Sequence, residues 1–326
     1  MGLQVQGLSY IHPNRDILFQ NINFAISSGE RCAIVGNNGV GKSTLLGIMA
    51  GMISPAEGCV LCDGVPYMIP QHFGQFDGLS VAEALGLAGK LRALSIILDG
   101  HGTEKEYELL NDEWDIQERL EEAFARWQIG HIAPDMLMGS LSGGEKTKVF
   151  LAGQDIYKPA IVLMDEPTNH LDTTGRTLLY EYITHTNRTI IIVSHDRTLL
   201  NLLPGIYEMS SAGMQFYPMS YDAYREAVNA ATEAKVTRLE SQQKELAKAE
   251  KSARKAMERQ QKHASRGEKQ TAKKCVARIS MGLLRNKSEA TTSRLNKVQH
   301  EKIEAMRREI HEMRSSINEY TVIKLD

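Results

Sequence analysis

Residues 36–44 carry the chemistry from which the rest of the sequence can be interpreted. They read Gly-Asn-Asn-Gly-Val-Gly-Lys-Ser-Thr and match the phosphate-loop pattern Gly-x-x-x-x-Gly-Lys-Ser/Thr at every fixed position. Glycines let backbone N–H groups approach phosphate oxygens, a following helix offers its positive N-terminal end, and the lysine reaches the β- and γ-phosphates. The pattern therefore predicts a nucleoside triphosphate site formed by Gly36, Asn37, Asn38, Gly39, Val40, Gly41, Lys42, Ser43 and Thr44, with the Ser43 hydroxyl on Mg²⁺.

Polar residues suited to phosphate chemistry follow two apolar runs further along the chain. Residues 160–164 are apolar and are followed by Asp165 and Glu166, while residues 189–193 are followed by Ser194 and His195. A carboxylate at a buried strand tip suits Mg²⁺ through a bound water, and its neighbour can orient or polarise an attacking water. We expect Asp165 to support Mg²⁺, Glu166 to act on the water, and His195 to hydrogen-bond a γ-phosphate.

A second anion site is predicted at the sequence Leu141-Ser142-Gly143-Gly144-Glu145, which begins a predicted helix. A hydroxyl and exposed N–H groups at a helix N-terminus can face a phosphate. Tyr10 lies at the end of the first predicted strand, where its ring could stack on adenine or pack against a sheet. Gln71 ends a short predicted strand, and its interpretation depends on the motifs further along the chain.

The elements that must position these residues alternate along the first two thirds of the chain. A strand over 31–35 and a helix over 43–50 flank the phosphate loop, and alternation at 3–6 and 21–26 predicts a small antiparallel sheet. Residues 80–130 have helical spacing, including a helix over 114–124, and form part of an insertion between core strands. Cys59 and Cys62 lie in an apolar run between glycines, which favours core cysteines over a metal or redox pair.

Composition limits the class of protein. The sequence has 326 residues, 42% of them hydrophobic, and no apolar run of eighteen or more residues, so we expect a cytoplasmic protein of about two domains. Residues 1–230 contain 15 lysines and arginines against 27 acidic residues, whereas residues 231–326 contain 23 against 13. The two parts are expected to have different partners.

The order of these motifs resembles that of the ATP-binding cassette (ABC) family over about residues 1–218, and Leu-Ser-Gly-Gly is specific to that family among phosphate-loop proteins. The resemblance implies an α/β fold: an ABC ATPase domain with a mixed sheet core, an antiparallel β subdomain and a helical subdomain at about 80–158. It also implies a Mg²⁺-dependent ATPase. By resemblance, Ser43 and Gln71 hold Mg²⁺, Glu166 is the catalytic base and Tyr10 stacks on adenine, while Ser142, Gly143, Gly144 and Asp172 act on the nucleotide of a paired domain.

Two further stretches resemble the ABC-F subfamily, whose members lack membrane domains and work chiefly on ribosomes. These are Glu-Pro-Thr-Asn-His-Leu-Asp at 166–172 and Tyr-Pro-Met-Ser-Tyr-Asp-Ala-Tyr at 217–224. ABC-F proteins carry two cassettes, so this sequence is expected to be a half-length form, natural or truncated, that binds ATP alone. Turnover would require a second cassette, from a second copy or a missing half.

Residues 219–326 are predicted to form a basic helical hairpin. No Gly or Pro occurs over 221–262, and residues 251–297 contain 14 lysines and arginines against 3 glutamates, with Gly267 and Gly282 expected near the turn. The seam would be formed by Met306, Ile310, Met313, Ile317 and Tyr320. Such charge suits RNA phosphates, although a solvated helical face is the simpler alternative.

Three functions follow from these observations. The resemblance favours an ABC-F-type ATPase on the ribosome, as a translation factor or in protection against antibiotics, with ribosomal RNA and transfer RNA as contacts of the basic segment. The alternatives are an ATPase subunit that energises a membrane transporter, and an ATP-dependent DNA- or RNA-binding clamp.

Overall fold

The computed structural model describes residues 2–210, 213–271, 297–298, 300–311 and 313–314. The chain forms two compact units, Met1–Arg225 and Glu226–Asp326, which divide within a long helix. The boundary at 218–219 drawn from the sequence precedes that helix and stays a prediction.

Strands and helices alternate through the first unit. The strands are β1 (Leu3–Ile11), β2 (Ile17–Ile26), β3 (Arg31–Gly36), β4 (Glu57–Cys62), β5 (Tyr67–Ile69), β6 (Ile161–Asp165), β7 (Thr189–Val193), β8 (Gly205–Ser210) and β9 (Gly213–Tyr217). The helices are α1 (Lys42–Met49), α2 (Val81–Ala84), α3 (Ala88–Leu98), α4 (Glu104–Leu110), α5 (Ile116–Arg126), α6 (Gly143–Tyr157), α7 (Thr173–His185), α8 (Arg197–Asn201) and α9 (Tyr221–Thr271). Short 3-10 helices occur at Gly74–Phe76 and Met138–Ser140.

The larger sheet has six strands in the order β5-β6-β7-β3-β8-β9. The first five are parallel and β9 is antiparallel to β8. Every residue of β6 and β7 is buried, as expected for the apolar runs of a sheet covered on both faces. The expected mixed sheet core is confirmed.

The smaller sheet is antiparallel, with the order β2-β1-β4. Apolar residues of β1 and β2 share one core with β3 and α1, including Leu8, Ile22, Ile34 and Leu45. The expected antiparallel subdomain is confirmed, and its packing fixes the strand that leads into the phosphate loop.

Helices α2 to α6 form the predicted helical subdomain between β5 and β6. At the start of α2, Ser80 and Glu83 form a reciprocal capping box, in which the side chain of each residue accepts a hydrogen bond from the backbone N–H of the other. Helix α5 buries Ile116, Leu120 and Phe124, one face of a 3.6-residue repeat. It begins at Ile116, later than the sequence indicated.

The second unit contains most of α9 and the helical residues 297–298, 300–311 and 313–314. Gln242 Nε2 donates to Glu309 Oε1 at 2.8 Å, and Arg307 donates to Glu250 Oε1 at 2.7 Å, so the two stretches run in opposite directions. Of the predicted seam, Ile310 is buried, and Met306 and Met313 are partly buried. Ile317 and Tyr320 lie outside the described residues.

Gly267 lies within α9, which continues to Thr271, and its expected position near the turn stays a prediction. A glycine inside a helix costs about 1 kcal/mol relative to alanine. That cost does not end a helix of 51 residues. Gly282 lies outside the described residues.

The expectation that Cys59 and Cys62 are core residues is wrong, because both are exposed. In the described sheet, β4 is an outer strand, and within it only Val60 packs against the core. The apolar run correctly predicted a strand, but it did not show that this strand lies at the edge of the sheet. No group of three or more His, Cys, Asp or Glu side chains suited to a metal occurs among the described residues.

These positions predict two reactive cysteines. In a Cys275→Ser variant, which removes a cysteine outside the described residues, a maleimide should modify Cys59 and Cys62 within minutes. Cys32 should react only after denaturation, because it is buried and burial raises the pKa of its thiol. Mass spectrometry of native and denatured samples measures this, and protection of Cys59 or Cys62 in the native protein would contradict the edge position of β4.

Candidate active site

The predicted catalytic residues meet at one edge of the larger sheet. Parallel strands place their carboxyl ends at the same edge, and β3, β5, β6 and β7 all end there. A cavity of about 540 Å³ opens at this edge. Its lining residues are His12, Leu18, Asn38, Gly39, Gly41, Lys42, Ser43, Thr44, Gln71, Asp165, Glu166, Asn169, Val193 and His195.

The phosphate loop connects β3 to α1 in a conformation that requires glycine. Gly41 has a φ angle of 104°, and a Cβ there would lie 2.8 Å from Leu18 Cδ2. The Lys42 ammonium donates to the carbonyl oxygens of Gly36 at 2.8 Å and Asn37 at 3.0 Å. Burial lowers the pKa of Lys42, and the charges of Glu166 and Asp165 oppose that shift.

Asp165 is buried at the last position of β6. Burial raises the pKa of its carboxyl group, whereas a hydrogen bond from Ser43 and the charge of Lys42 lower it. Its Oδ1 atom is buried and makes no hydrogen bond among the described residues. A buried carboxylate oxygen beside a serine hydroxyl fits Mg²⁺, which prefers oxygen ligands and is held by few protein groups together with substrate phosphates.

Glu166 follows Asp165 with a φ angle of 48°, an uncommon value for a residue other than glycine. Its N–H donates to the Val193 carbonyl at 2.8 Å, which ties the end of β6 to β7. Such strained backbone is concentrated at functional sites because the surrounding structure must maintain it. Here it directs the side chain of Glu166 into the cavity lining.

The Glu166 carboxylate contacts the segment that follows β7. Its Oε2 accepts from the His195 N–H at 3.3 Å and from the Ser194 hydroxyl at 3.5 Å, and His195 Nε2 lies 3.5 Å from Oε1. Burial raises the pKa of Glu166, and the neighbouring His195 opposes the shift. Sequence reasoning missed Ser194, although a hydroxyl immediately before His195 was the available signal.

Tyr10 is not among the residues that line the cavity. Its ring lies 5.5 Å edge-on from that of His12 and 6.2 Å from that of Phe19. His12 and Leu18 line the cavity themselves. His12, in a turn after β1, was missed because sequence spacing does not show how a turn directs its side chains. The role of Tyr10 at adenine stays a prediction.

The Ser142–Glu145 corner lies apart from this cavity at the start of α6. Ser142 and Glu145 form a capping box, and His131 Nε2 lies 2.9 Å from Glu145 Oε1. The hydrogen bonds from Ser142 and His131 lower the pKa of Glu145 to about 2. Ser142 is exposed, so the corner is accessible in the single chain.

The 169–172 turn packs against this corner. A Cβ on Gly144 would lie 2.7 Å from the His170 carbonyl oxygen, which explains the need for glycine there. Asp172 caps α7 by accepting from the Gly175 N–H at 2.9 Å, and that hydrogen bond lowers the pKa of Asp172. The residues Ser142, Gly143, Gly144 and Asp172 do not line the cavity that contains Lys42 and Glu166. Their role on the nucleotide of a paired domain stays a prediction.

Comparison with known proteins identifies relatives of this chain. The family described as ABC transporter matches residues 19–169. The tylosin resistance ATP-binding protein TlrC of Streptomyces fradiae is 29% identical over 68% of this chain and 45% of its own length. The energy-coupling factor transporter ATP-binding protein EcfA3 of Clostridium perfringens is 32% identical over 61% of this chain and 71% of its own length.

Other relatives differ in length. ABC transporter F family member 2 of Arabidopsis thaliana is 32% identical over 64% of this chain and 28% of its own length. The chain thus spans less than half the length of TlrC and of this plant relative. Among solved structures, a dimeric ATP-binding cassette in a post-hydrolysis state with ADP and Pi has the same fold, with a TM-score of 0.51 and 21% identity over 67% of this chain and 98% of its own.

The raised pKa of Glu166 predicts a pH-dependent effect of its removal. A carboxyl group whose pKa is higher in the folded state stabilises that state below its unfolded pKa, and this contribution is lost as pH rises through the folded value. Without nucleotide, Glu166→Gln should therefore raise Tm at pH 7.5 by about 2–4 °C, as about 1 kcal/mol would in a domain of this size. The gain should disappear below about pH 4.5, the usual pKa of the group.

The matched control is Glu181→Gln, which removes an exposed carboxylate on α7. Its effect on Tm should be small at both pH values, because no burial is relieved. Differential scanning calorimetry across pH 4–8 measures both variants. A Glu166→Gln gain that is absent at pH 7.5, or independent of pH, would contradict the burial cost assigned to Glu166.

Proposed function

The chain belongs to the ATP-binding cassette family of ATPases, and on that premise we propose that it binds ATP with Mg²⁺ and hydrolyses it when a second cassette closes over the nucleotide. One observation carries the proposal: the phosphate loop, Gln71, Asp165, Glu166 and His195 line a single cavity although they are distant in sequence. Family members share a reaction, and this cavity contains the groups that the reaction needs.

Each group has a proposed role. Lys42 and the loop N–H groups would hold the phosphates, and Ser43, Gln71 and Asp165 would hold Mg²⁺. Bound Mg²⁺ would neutralise charge on the β- and γ-phosphates. Breaking the hydrogen bonds of Lys42 to Gly36 and Asn37 would free its ammonium group for the phosphates.

Glu166 is the proposed base for the attacking water. Its raised pKa makes the carboxylate a stronger proton acceptor than an exposed glutamate. His195 lies beside it, so a γ-phosphate bound by His195 would lie near the water that Glu166 orients. Gln71 approaches the same cavity from the end of β5.

Pairing is proposed because the phosphate loop and the Ser142–Glu145 corner lie in different places on the chain. The exposed Ser142 corner is not part of the chain's own cavity lining, so it is available to the nucleotide of a second cassette. The related cassette of known structure is dimeric. A second copy or another cassette could supply the partner.

We propose that the cellular role is action on the ribosome of the ABC-F type. This role would be carried out in the cytoplasm. The motifs at 166–172 and 217–224 support it, as do relatives named for tylosin resistance and for the F family. Lys251, Lys255 and Arg259 are exposed on α9, where RNA phosphates could reach them. The role is either translation control or protection against an antibiotic.

A transporter ATPase is the second candidate, because a transporter ATP-binding protein matches with 32% identity over 71% of its length. Among the described residues, no helix has both the length and the hydrophobicity to cross a bilayer.

The proposed pairing predicts that Ser142→Ala lowers kcat about tenfold or more, because a donor to the partner's nucleotide is lost. ATP affinity at low protein concentration should remain unchanged. Ser80→Ala is the matched control: it removes the serine of the α2 capping box in the same subdomain, a loss that costs about 1 kcal/mol in either variant. Phosphate release measures both variants, and equal activities would contradict a role for Ser142 in trans.

The proposed ribosome role predicts ATP-dependent co-sedimentation of Glu166→Gln with ribosomes, weakening steeply with salt. Lys251→Gln with Lys255→Gln should lower the slope of log affinity against log salt by roughly one to two. The matched control changes Arg92 and Lys105, exposed cations of the helical subdomain, to Gln and should leave the slope unchanged.

Three outcomes would contradict this role. Absence of co-sedimentation would remove the ribosome as the partner, and co-sedimentation that does not change with ATP would remove an ATP-driven role there. Equal affinity for DNA and for ribosomes would favour a nucleic-acid clamp. Recovery of the chain with an integral membrane protein that stimulates its ATPase activity would favour the transporter role.

A further inference from the structure

The start of α9 is held by a buried carboxylate that the proposed chemistry does not use. Glu208, in the middle of β8, is 5% exposed. Its Oε2 accepts from the Tyr217 hydroxyl at 3.1 Å, and its carboxylate also hydrogen-bonds the Tyr224 hydroxyl. Because a buried carboxylate without partners is costly, these two tyrosines stabilise the position of Glu208.

Within the first unit, Tyr224 anchors the first turn of α9 to β8 and β9. Among the described side chains of α9, only Tyr224 is buried, at 4% exposure. Its ring packs 5.0 Å edge-on from Tyr217 and 6.0 Å from Tyr221. In the described part of this very long helix, burial is thus concentrated at one position in the first turn.

Glu208 lies next to the strand that leads into the phosphate loop. In the parallel pairing of β8 with β3, Glu208 is opposite Val35 and Met209 is opposite Gly36. A Cβ on Gly36 would lie 2.3 Å from the Met209 carbonyl oxygen, so the two backbones are in close contact at the first residue of the loop. A shift of the loop would therefore press on the residue beside Glu208.

A second tie connects α9 to the segment after His195. The Asp222 N–H, in the first turn of α9, donates to Asn201 Oδ1 at 2.9 Å. First-turn N–H groups have no partner within a helix, so this side chain satisfies one of them. Asn201 is the last residue of α8, which is capped by Asp196, the residue that follows His195.

We propose that Glu208, Asn201 and Tyr224 are positioning residues that transmit nucleotide-dependent movement of the phosphate loop and the His195 segment to the start of α9. The two ties reach α9 from separate elements, and each of those elements adjoins a different nucleotide-contacting segment. This inference rests on the proposed function, since it requires that ATP binds at the phosphate loop and moves these segments.

The test uses the full chain carrying Glu166→Gln, with and without ATP and Mg²⁺. Hydrogen exchange of residues 222–230 should slow at least threefold on addition of ATP. In the double variant Asn201→Ala with Tyr224→Phe, that response should fall below 1.5-fold while the Kd for ATP stays within twofold. Tyr221→Phe is the matched control, because Tyr221 is only partly buried on the same turn, and it should retain the full response.

Ribosome co-sedimentation provides the second readout. In the double variant, the ATP-dependent gain in ribosome affinity should be at least fivefold smaller than in the parent. Its ribosome affinity without ATP should be unchanged, because the basic residues are intact. Tyr224→Phe alone keeps the ring and its packing, and it replaces the double variant if that protein is too unstable to measure. It should lose part of the ATP-dependent gain in ribosome affinity.

The outcomes separate this inference from the proposed function. If ATP binds and the exchange of residues 222–230 does not respond, or if the double variant responds like the parent, the coupling is refuted whatever the ribosome result. If the exchange responds as expected and no ribosome binding occurs, the coupling is supported and the ribosome role fails.

Discussion

The rest of the fold must offset the free-energy cost of burying two carboxylates at the end of β6. Burial raises the pKa of both Asp165 and Glu166, so the fold holds them at a cost that packing elsewhere must offset. The cost is accepted where a nucleotide and a cation would use it: Asp165 has an unpaired buried oxygen, and Glu166 is held by strained backbone against the end of β7. The parallel sheet brings both acids to the edge at which the phosphate loop lies.

The rest of the first unit supports that edge. The antiparallel sheet packs against β3 and α1 and fixes the loop from one side. The helical subdomain presents the Ser142 corner through a capping box, while the 169–172 turn packs against its glycines. The two predicted phosphate-binding features of the chain therefore lie in separate places, and this separation is the structural basis for proposing a partner.

Much of this edge could be predicted from sequence, because motif spacing identifies strand tips and parallel strands bring their tips together. The phosphate loop, Gln71, Asp165, Glu166 and His195 were found in this way. Their neighbours were not. Ser194, His12 and the contact between Glu208 and Tyr224 depend on turn geometry or on pairing between distant segments, neither of which leaves a periodic signal.

The error at the two cysteines also has a physical reason. Cys59 and Cys62 lie in an apolar run that does form a strand, but an apolar run does not distinguish an outer strand from a central one. Gly267 lies within a helix of 51 residues, where a single glycine costs about 1 kcal/mol relative to alanine. In β4 the local pattern correctly indicated a strand, and the position of that strand in the sheet decided the exposure of its cysteines.

Closure of one cassette over the nucleotide of another can be measured as the solution mass of Glu166→Gln with saturating ATP and Mg²⁺. Because this variant should bind ATP without hydrolysing it, we expect a shift from the mass of one chain to that of two. The shift should be lost when Ser142→Arg is added, since that side chain would obstruct the partner's nucleotide. A chain that remains single while ATP fills its site, at protein concentrations up to about 100 μM, would contradict closure of one cassette over the nucleotide of another.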